Sequence, residues 1–153
     1  MPEIGEKAPD FEMPADGGEE VSLAALKGHP FVLYFYPKDD TPGCTKEAIG
    51  FSEKIKEFDQ LGVKVIGVSR DTLAKHAKFR EKHSLSVVLA ADEDGKTCEA
   101  FGVWVEKNMY GRKYMGIERA TFLIDGKGVI RNIWRKVKVK GHVEAVLEAA
   151  ETL

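Results

Sequence analysis

An unbroken run of apolar and aromatic residues, FVLYFY at positions 31–36, constrains the fold more than any other stretch of this chain. Six such residues in a row are typical of a central strand that is buried on both of its faces. Pro37 ends the run, and turn-forming residues follow it as far as Pro42. We therefore expect a strand in the middle of a sheet, followed by a short loop.

A helix is expected directly after this loop, because apolar residues recur at helical spacing beyond Cys44. These residues are Ile49, Phe51, Ile55, Phe58 and Leu61. Cys44 would then lie in the first helical turn, where free backbone N–H groups and the helix dipole stabilise an anion. Since the thiolate is the nucleophilic form of cysteine, we expect Cys44 to be a reactive, partly ionised thiol.

The other apolar segments predict an α/β fold with a mixed central sheet flanked by helices. Further strands are expected at 63–69, 87–90, 119–124 and 129–134, and further helices at 71–83, 97–101 and 141–153. The strand, helix, strand order implies a parallel crossover, whereas Asp-Gly-Lys-Gly at 125–128 predicts an antiparallel hairpin. Residues 106–118 carry glycines and bulky side chains, and we expect a long irregular loop there. This order of elements resembles the thioredoxin-like fold.

Length and composition are those of an ordinary globular protein. With 153 residues, of which 43% are hydrophobic and 31% are charged, the chain fits a single domain spanning residues 1–153. The net charge of -2 gives no electrostatic reason to expect nucleic acid or an anionic membrane as a partner. The start lacks the basic-then-apolar order of a secretory signal, and only two cysteines are present. A reducing, cytoplasmic location is therefore expected.

Several other cysteine and metal chemistries lack their sequence patterns. A Cys-x-x-Cys redox pair is absent, because Thr45, Lys46 and Glu47 follow Cys44. The four histidines are scattered over different elements, without a spacing that would make one of them a base for Cys44. The chain also has no paired Cys or His spacing for a metal and no phosphate-binding loop. We therefore expect neither a metal nor an organic cofactor.

A known signature surrounds the lone cysteine. The segment from Pro37 to Cys44, PKDDTPGC, matches the Pro-x-x-x-Thr-x-x-Cys pattern of peroxiredoxins. The fuller TPGCTKE resembles the subgroup called bacterioferritin comigratory protein or peroxiredoxin Q. Similar stretches run almost from end to end: GEKAPDF, FGVWVEKNMYGRKYMGIERATFLID and IWRKVKVKGHVEAVLEA. By this resemblance the chain is identified as a member of the subgroup.

The resemblance implies a thiol-dependent peroxidase that reduces hydrogen peroxide and organic hydroperoxides, with Cys44 as the peroxidatic cysteine and a sulfenic acid as intermediate. It implies that Thr41 supplies a hydroxyl and Arg119 a guanidinium beside the thiol, and that Pro37 and Gly43 shape the substrate pocket. It further implies a monomer recycled by a thiol reductant such as thioredoxin, glutaredoxin or glutathione. The alternative is a non-enzymatic redox sensor or binding module, in which oxidation of Cys44 changes a partner surface.

The chain departs from the subgroup in its second cysteine. Members often carry a resolving cysteine five residues after the first, where this chain has Ile49, whether natural or engineered. Others carry it in the following helix, and residues 71–83 contain none. The remaining thiol, Cys98, is either a resolving cysteine or a buried apolar partner of Phe101. We therefore expect a one-cysteine cycle in which an external thiol attacks the Cys44 sulfenic acid.

Bulky side chains in the expected 106–118 loop suggest a hypothesis about substrate choice. We expect an apolar rim near the site, formed by Met109, Tyr110, Met115 and Ile117. Such a rim would suit alkyl or lipid hydroperoxides alongside hydrogen peroxide.

Overall fold

Residues 31–35 of the apolar run form the middle strand of a five-stranded sheet, as expected. The structure is a computed structural model that describes residues 2–153. The strands in these residues are β1 (Glu12–Pro14), β2 (Glu20–Ser22), β3 (Phe31–Phe35), β4 (Lys64–Ser69), β5 (Val88–Ala91), β6 (Trp104–Met109), β7 (Arg112–Ile117), β8 (Ala120–Ile124) and β9 (Ile130–Trp134). The helices are α1 (Pro42–Glu53), α2 (Ile55–Gln60), α3 (Leu73–His83), α4 (Lys96–Ala100) and α5 (His142–Ala150), with a short 3-10 helix at Asp16–Gly18.

The central sheet is mixed, which confirms the predicted class. Its strand order is β5-β4-β3-β8-β9. Strands β3, β4 and β5 run parallel to one another, since helices connect them, whereas β8 is antiparallel to both β3 and β9. Strands β1 and β2 pair separately near the start of the chain, and β6 and β7 form another two-stranded sheet.

Both faces of the central sheet are buried. Side chains alternate along β3, and each set packs into its own apolar cluster. Phe31, Leu33 and Phe35 pack into one apolar cluster, together with α4 and the chain before β3. Val32 and Tyr34 pack into a second cluster, together with α1, α2, α3 and α5. The two clusters lie on opposite faces of the sheet. No helix within residues 2–153 has the length and apolar character needed to cross a bilayer.

Helix α1 begins where the sequence predicts it. Thr41 occupies the N-cap position and Pro42 the first turn, where the missing proline N–H costs nothing. The helix ends at Glu53, however, and Lys54 leaves helical geometry (φ -99°, ψ 6°) before α2 continues. The apolar spacing runs through this break, and Phe58 of α2 is still buried. Periodicity alone therefore predicted one longer helix.

The expected irregular loop at 106–118 is wrong, because these residues form most of a regular β-hairpin. Its register runs from Trp104 opposite Ile117 to Met109 opposite Arg112. The connection is the two-residue turn Tyr110-Gly111, in which both residues have positive φ (53° and 76°). That geometry is the preferred hairpin turn, but it normally carries Asn-Gly or Asp-Gly. Because tyrosine occupies the first turn position, the sequence pattern did not predict a hairpin here.

The hairpin also divides the expected apolar rim. Met115 and Ile117 share one face of β7, since they are two residues apart, whereas Met109 lies opposite Arg112 and faces the other way. Ile117 is buried in the core, while Met109 and Met115 are about half exposed (55% and 50%). The four residues therefore do not form one continuous rim.

Candidate active site

Cys44 lies in the first turn of α1, below the end of β3 that delivers the chain to this point. Its side chain is free of any disulfide, and the residue is only 1% exposed. It packs in the cluster that α1, α3 and α5 cover. The predicted position of the thiol at a helix N-terminus is thus observed, and the residue is buried there.

Arg119 reaches this thiol from the start of β8. Because β8 is antiparallel to β3, with Ala120 opposite Phe35, the residue just before β8 lies beside the end of β3. Arg119 Nη2 donates a hydrogen bond to Cys44 Sγ at 3.3 Å, across 75 residues of sequence. A guanidinium beside a thiol stabilises the thiolate form. The structure therefore brings together two of the residues singled out from the sequence.

The other arm of the guanidinium holds Glu47. Arg119 Nη1 donates to Glu47 Oε1 at 2.7 Å, one helical turn after Cys44. Glu47 is completely buried, and burial raises its pKa to about 7 although the charge of Arg119 pulls it down. The rigid fork of arginine suits this arrangement, because it serves two acceptors at once.

Two further polar residues lie behind Glu47, on β8 and α5. Glu47 Oε2 has no hydrogen-bond partner within residues 2–153, and it lies 3.9 Å from His142 Nε2. His142 Nε2 is 2.8 Å from Thr121 Oγ1, and both residues are buried. Burial and the charge of Arg119 lower the pKa of His142 to about 4, so the ring is neutral at physiological pH. Arg119 is therefore the cation that serves both Cys44 and Glu47.

The remaining predicted residues occupy the loop and turn before Cys44. The Thr41 hydroxyl donates to the Lys38 carbonyl at 2.9 Å and does not contact Cys44 Sγ. Gly43 lies against Arg119, and a Cβ there would be 3.1 Å from Nη2, which is tighter than an ordinary contact. Pro37 is exposed at the surface. Glycine at 43 thus leaves the guanidinium room to approach the thiol.

Cys98 lies on the opposite face of the central sheet. It belongs to α4 and to the cluster that includes Phe101 and Phe35, whereas Cys44 belongs to the other cluster. It is fully buried, its backbone N–H donates to Asp92 Oδ2 at 2.8 Å, and both cysteines are free thiols. Burial, followed by the Asp92 carboxylate, raises the pKa of the Cys98 thiol far above its usual range. Of the two roles considered for Cys98, this environment fits a buried apolar partner of Phe101.

Sequence reasoning did not identify Thr121 or His142 as neighbours of the site. Thr121 is the single polar residue in the strand ATFLI, and a buried polar residue in an apolar strand is a usable signal. His142 offers no comparable signal, because its partners lie on α1 and β8. Within residues 2–153, no three His, Cys, Asp or Glu side chains gather in a way that would hold a metal.

Known proteins resemble this chain over nearly its whole length. The profile of the AhpC/TSA family matches residues 4–133. The Bacillus subtilis peroxiredoxin Bcp is 52% identical over 151 residues, which cover 99% of this chain and 96% of that protein. The Escherichia coli peroxiredoxin Bcp is 43% identical over 143 residues, covering 94% of this chain and 92% of that protein.

Solved structures resemble it equally well. The Xanthomonas campestris bacterioferritin comigratory protein, from work on its alkyl peroxide reduction activity, has a TM-score of 0.88 at 46% identity and covers 93% of this chain and 90% of its own. Xylella fastidiosa PrxQ has a TM-score of 0.93 at 38% identity, with coverages of 98% and 96%. These neighbours confirm the predicted thioredoxin-like fold. The chain belongs to the AhpC/TSA family, as a peroxiredoxin of the Bcp or peroxiredoxin Q kind.

Proposed function

We propose that Cys44 is the peroxidatic cysteine of a thiol-dependent peroxidase that reduces hydrogen peroxide and organic hydroperoxides. The observation that carries the proposal is the hydrogen bond of 3.3 Å from Arg119 Nη2 to Cys44 Sγ, at the N-terminus of α1. A permanent cation and a helix N-terminus together favour the thiolate that attacks the peroxide.

The first half of the reaction oxidises Cys44. The thiolate sulfur attacks the terminal oxygen of ROOH, so that an S–O bond forms while the O–O bond breaks. The sulfur becomes a sulfenic acid, and RO⁻ leaves and takes a proton from water to become ROH. Negative charge moves from sulfur to the departing oxygen, and donors fixed along this path lower the barrier.

We propose that four donors stabilise this charge as it moves from the sulfur to the oxygen. Arg119 Nη2 already lies at the sulfur, and the backbone N–H groups of Gly43 and Cys44 belong to the first turn of α1. Thr41 lies at the N-cap, and its hydroxyl would turn from the Lys38 carbonyl to the bound peroxide. Pro37 would border the entrance from the loop. These roles follow from position and chemistry together with the family resemblance.

In the second half, we propose, a thiol from outside the chain resets Cys44. Ile49 and α3 supply no cysteine, and Cys98 lies in the apolar cluster on the other face of the sheet. An external thiolate would attack the Cys44 sulfenic sulfur, so that an S–S bond forms while the S–O bond breaks, and the departing hydroxide takes a proton from solvent to become water. A second thiol then attacks that disulfide and restores Cys44. Thioredoxin, glutaredoxin and glutathione are the reductants of suitable chemistry.

The range of peroxides follows from one relative and from the surface of the β6–β7 hairpin. One relative, the Xanthomonas campestris protein, was studied for alkyl peroxide reduction. The exposed apolar side chains of the β6–β7 hairpin include Met109 and Tyr114 (55% and 43% exposed), which share one face of the hairpin with Lys107. Burial lowers the pKa of Lys107, and the charges of Arg119 and Cys44 also act on it, so this face lies near the site. We therefore propose alkyl hydroperoxides as substrates alongside hydrogen peroxide.

Steady consumption of peroxide with a thiol donor tests this function. Cys44→Ser should abolish turnover, because serine cannot form the sulfenic acid, and Cys98→Ser should retain most of it. Unchanged consumption by Cys44→Ser would disprove the proposal. A single round of Cys44 oxidation without steady turnover, with each of the three reductants, would instead indicate a redox sensor.

A further inference from the structure

A buried histidine outside the site described above binds the loop that leads to Cys44. His76 is the fourth residue of α3, faces the sheet and is fully buried. Its Nδ1 is 2.6 Å from Asp39 Oδ2, and its Nε2 is 2.9 Å from the carbonyl oxygen of Ala90 in β5. Asp39 belongs to residues 36–41, which join β3 to α1 and are called the Cys44 loop below.

The partners of His76 define its protonation. A carbonyl oxygen can only accept a hydrogen bond, and a carboxylate is likewise an acceptor. The Tyr36 hydroxyl donates to the other oxygen of Asp39 at 2.5 Å. A doubly protonated ring, which donates from both nitrogens, satisfies the carboxyl group and the carbonyl together, so this arrangement favours an imidazolium paired with Asp39. This buried ion pair connects α3 to the Cys44 loop.

Neighbouring contacts fasten the same loop to the same helix. The Asp39 N–H donates to Asp71 Oδ2 at 2.8 Å, and Asp71, which precedes α3, also accepts from the Ser69 hydroxyl. Asp40 has a left-handed backbone conformation (φ 61°), which is unfavourable for a residue with a Cβ. Its carboxylate accepts from two residues at the end of α3, Lys82 Nζ at 2.7 Å and His83 Nε2 at 2.9 Å.

We propose that His76 is a positioning residue for the peroxidase reaction. Through Asp39 it holds the Cys44 loop closed, and the closed loop keeps Cys44 against Arg119. His76 itself touches neither Cys44 nor Arg119 among its hydrogen bonds, so it acts only through the loop. The effect of His76 on catalysis rests on the proposed function. The contact between His76 and the Cys44 loop can be tested without peroxide.

The ion pair makes loop closure depend on pH. The titratable groups that face His76 are Asp39 from the Cys44 loop, Asp71 from the β4–α3 turn, and Tyr36, which contacts Asp39. Burial alone would lower the pKa of His76, but the hydrogen bond and charge of Asp39 outweigh it and raise the pKa above 6.5. A raised histidine pKa stabilises the closed loop at low pH, and this stabilisation is lost as pH rises through that pKa.

Closing and opening serve different steps. Cys44 is 1% exposed in the closed state, which suits a small peroxide and the contact with Arg119. A protein thiol needs the sulfur exposed, so recycling by thioredoxin requires the loop to open. Weakening the ion pair should therefore slow oxidation of Cys44 and ease access by bulky reagents.

Alkylation of the reduced protein tests the proposal directly. The rate of Cys44 labelling by the large reagent polyethylene-glycol maleimide is divided by the rate with the small reagent iodoacetamide. Both reagents react with the thiolate, so ionisation of the thiol cancels, and the ratio reports how easily a large molecule reaches Cys44. The ratio of the parent protein should rise with pH above neutral. In His76→Gln it should be roughly tenfold to a hundredfold higher and independent of pH, since a hydrogen bond between charged groups is lost. His29→Gln, which changes an exposed histidine, should behave like the parent.

Cys98 serves as an internal control for folding, because it is buried on the opposite face of the sheet. It should stay unlabelled in His76→Gln. Asp39→Asn should reproduce the His76→Gln ratio, and the double variant should add nothing further. A parental ratio in both single variants, or labelling of Cys98 as fast as Cys44, would overturn the proposal. The alkylation assay uses no peroxide. Its result therefore stands whether or not the protein reduces peroxide.

Discussion

At the residue scale, the site depends on one guanidinium shared between a thiol and a carboxyl group. Arg119 contacts Cys44 Sγ at 3.3 Å and Glu47 Oε1 at 2.7 Å, and Gly43 leaves space for it. Glu47 orients the arginine, while burial keeps its own pKa near 7. The electrostatic environment of Cys44 therefore depends on Arg119, which is always charged, and on Glu47, which gains or loses a proton near neutral pH.

Removing the guanidinium should slow the oxidation step. Arg119→Met is expected to lower the second-order rate constant for peroxide by roughly a hundredfold or more, the usual loss for one fixed donor. Arg119→Lys should recover only part of this, because an ammonium group cannot hold Cys44 and Glu47 in one plane. Rapid-mixing measurements of Cys44 oxidation check this, with Arg131→Lys as the control for an exposed ion pair. A parental rate in Arg119→Met would remove Arg119 from the mechanism.

Glu47 should make folding stability depend on pH. Its pKa is raised from 4.5 to about 7, so the folded protein binds the proton more tightly than the unfolded chain. The contribution of Glu47 to the free energy of unfolding should then fall by a few kcal/mol as pH rises through this interval, at about 1.4 kcal/mol per pKa unit. His142, whose pKa is lowered from 6.5 to about 4, contributes a rise over almost the same interval, so the two contributions largely oppose each other.

Denaturant unfolding of Glu47→Gln across this pH range measures the contribution. Glutamine does not titrate, so the Glu47 contribution should disappear, and stability should rise with pH through this interval because the opposite slope from His142 remains. Glu57→Gln, at an exposed position of α2, is the matched control. An unchanged pH slope in Glu47→Gln would show that the carboxyl group is ionised throughout.

At the element scale, sequence patterns predicted most helices and strands but missed two local features. The strands of the central sheet and helix α3 lie within about a residue or two of the expected ranges, because their apolar spacing is strong. The break at Lys54 interrupts no apolar pattern, and the Tyr110-Gly111 turn lacks the usual residues. Both errors arise where backbone geometry departs from what side-chain type indicates.

Helix α3 is connected to the start of the chain by one partly buried ion pair. Arg80 Nη2 donates to Asp16 Oδ1 at 2.9 Å and its Nε donates to the other oxygen, while the Leu85 and Val87 carbonyls accept from the same guanidinium. The Asp16 side chain is 3% exposed, so it would be left buried and unpaired without Arg80. This contact joins the 3-10 helix to α3 and to the approach to β5.

Arg80→Gln should therefore destabilise the protein by roughly 1 to 3 kcal/mol, as expected when a buried acceptor is left without its partner. Denaturant unfolding measures the loss, and Lys78→Gln, at an exposed position of the same helix, should change stability little. The double variant with Asp16→Asn should lose much less than the sum of the two single changes. A loss below about 1 kcal/mol in Arg80→Gln would mean that solvent replaces the contact.

At the scale of the whole molecule, we propose a single domain whose central sheet separates two thiols. The sequence alone predicted a buried sheet, because the run at 31–36 has no polar residue on either face. It could not reveal contacts such as Asp39 with His76, 37 residues apart, since no local pattern records them. Arg119, 75 residues from Cys44, was identified by family resemblance and not by physical reasoning from spacing.

The separation of the thiols decides how the sulfenic acid is reset. Cys44 and Cys98 pack in clusters on opposite faces of the sheet. A disulfide requires Cα atoms within about 7 Å, with side chains directed toward each other. Joining these two residues would therefore require the sheet or its covering helices to rearrange. The proposed cycle uses Cys44 alone and takes its second thiol from a partner.

Intact-protein mass spectrometry under non-reducing conditions, after one equivalent of peroxide, tests the central claim most directly. Cys44 should gain a single oxygen atom that a sulfenic-acid reagent traps, while Cys98 remains a free thiol. The Cys98→Ser variant should give the same product, and Cys44→Ser should give none. An intramolecular Cys44–Cys98 disulfide in most molecules would contradict the one-cysteine cycle, and oxidation of the Cys44→Ser variant would contradict the assignment of Cys44 itself.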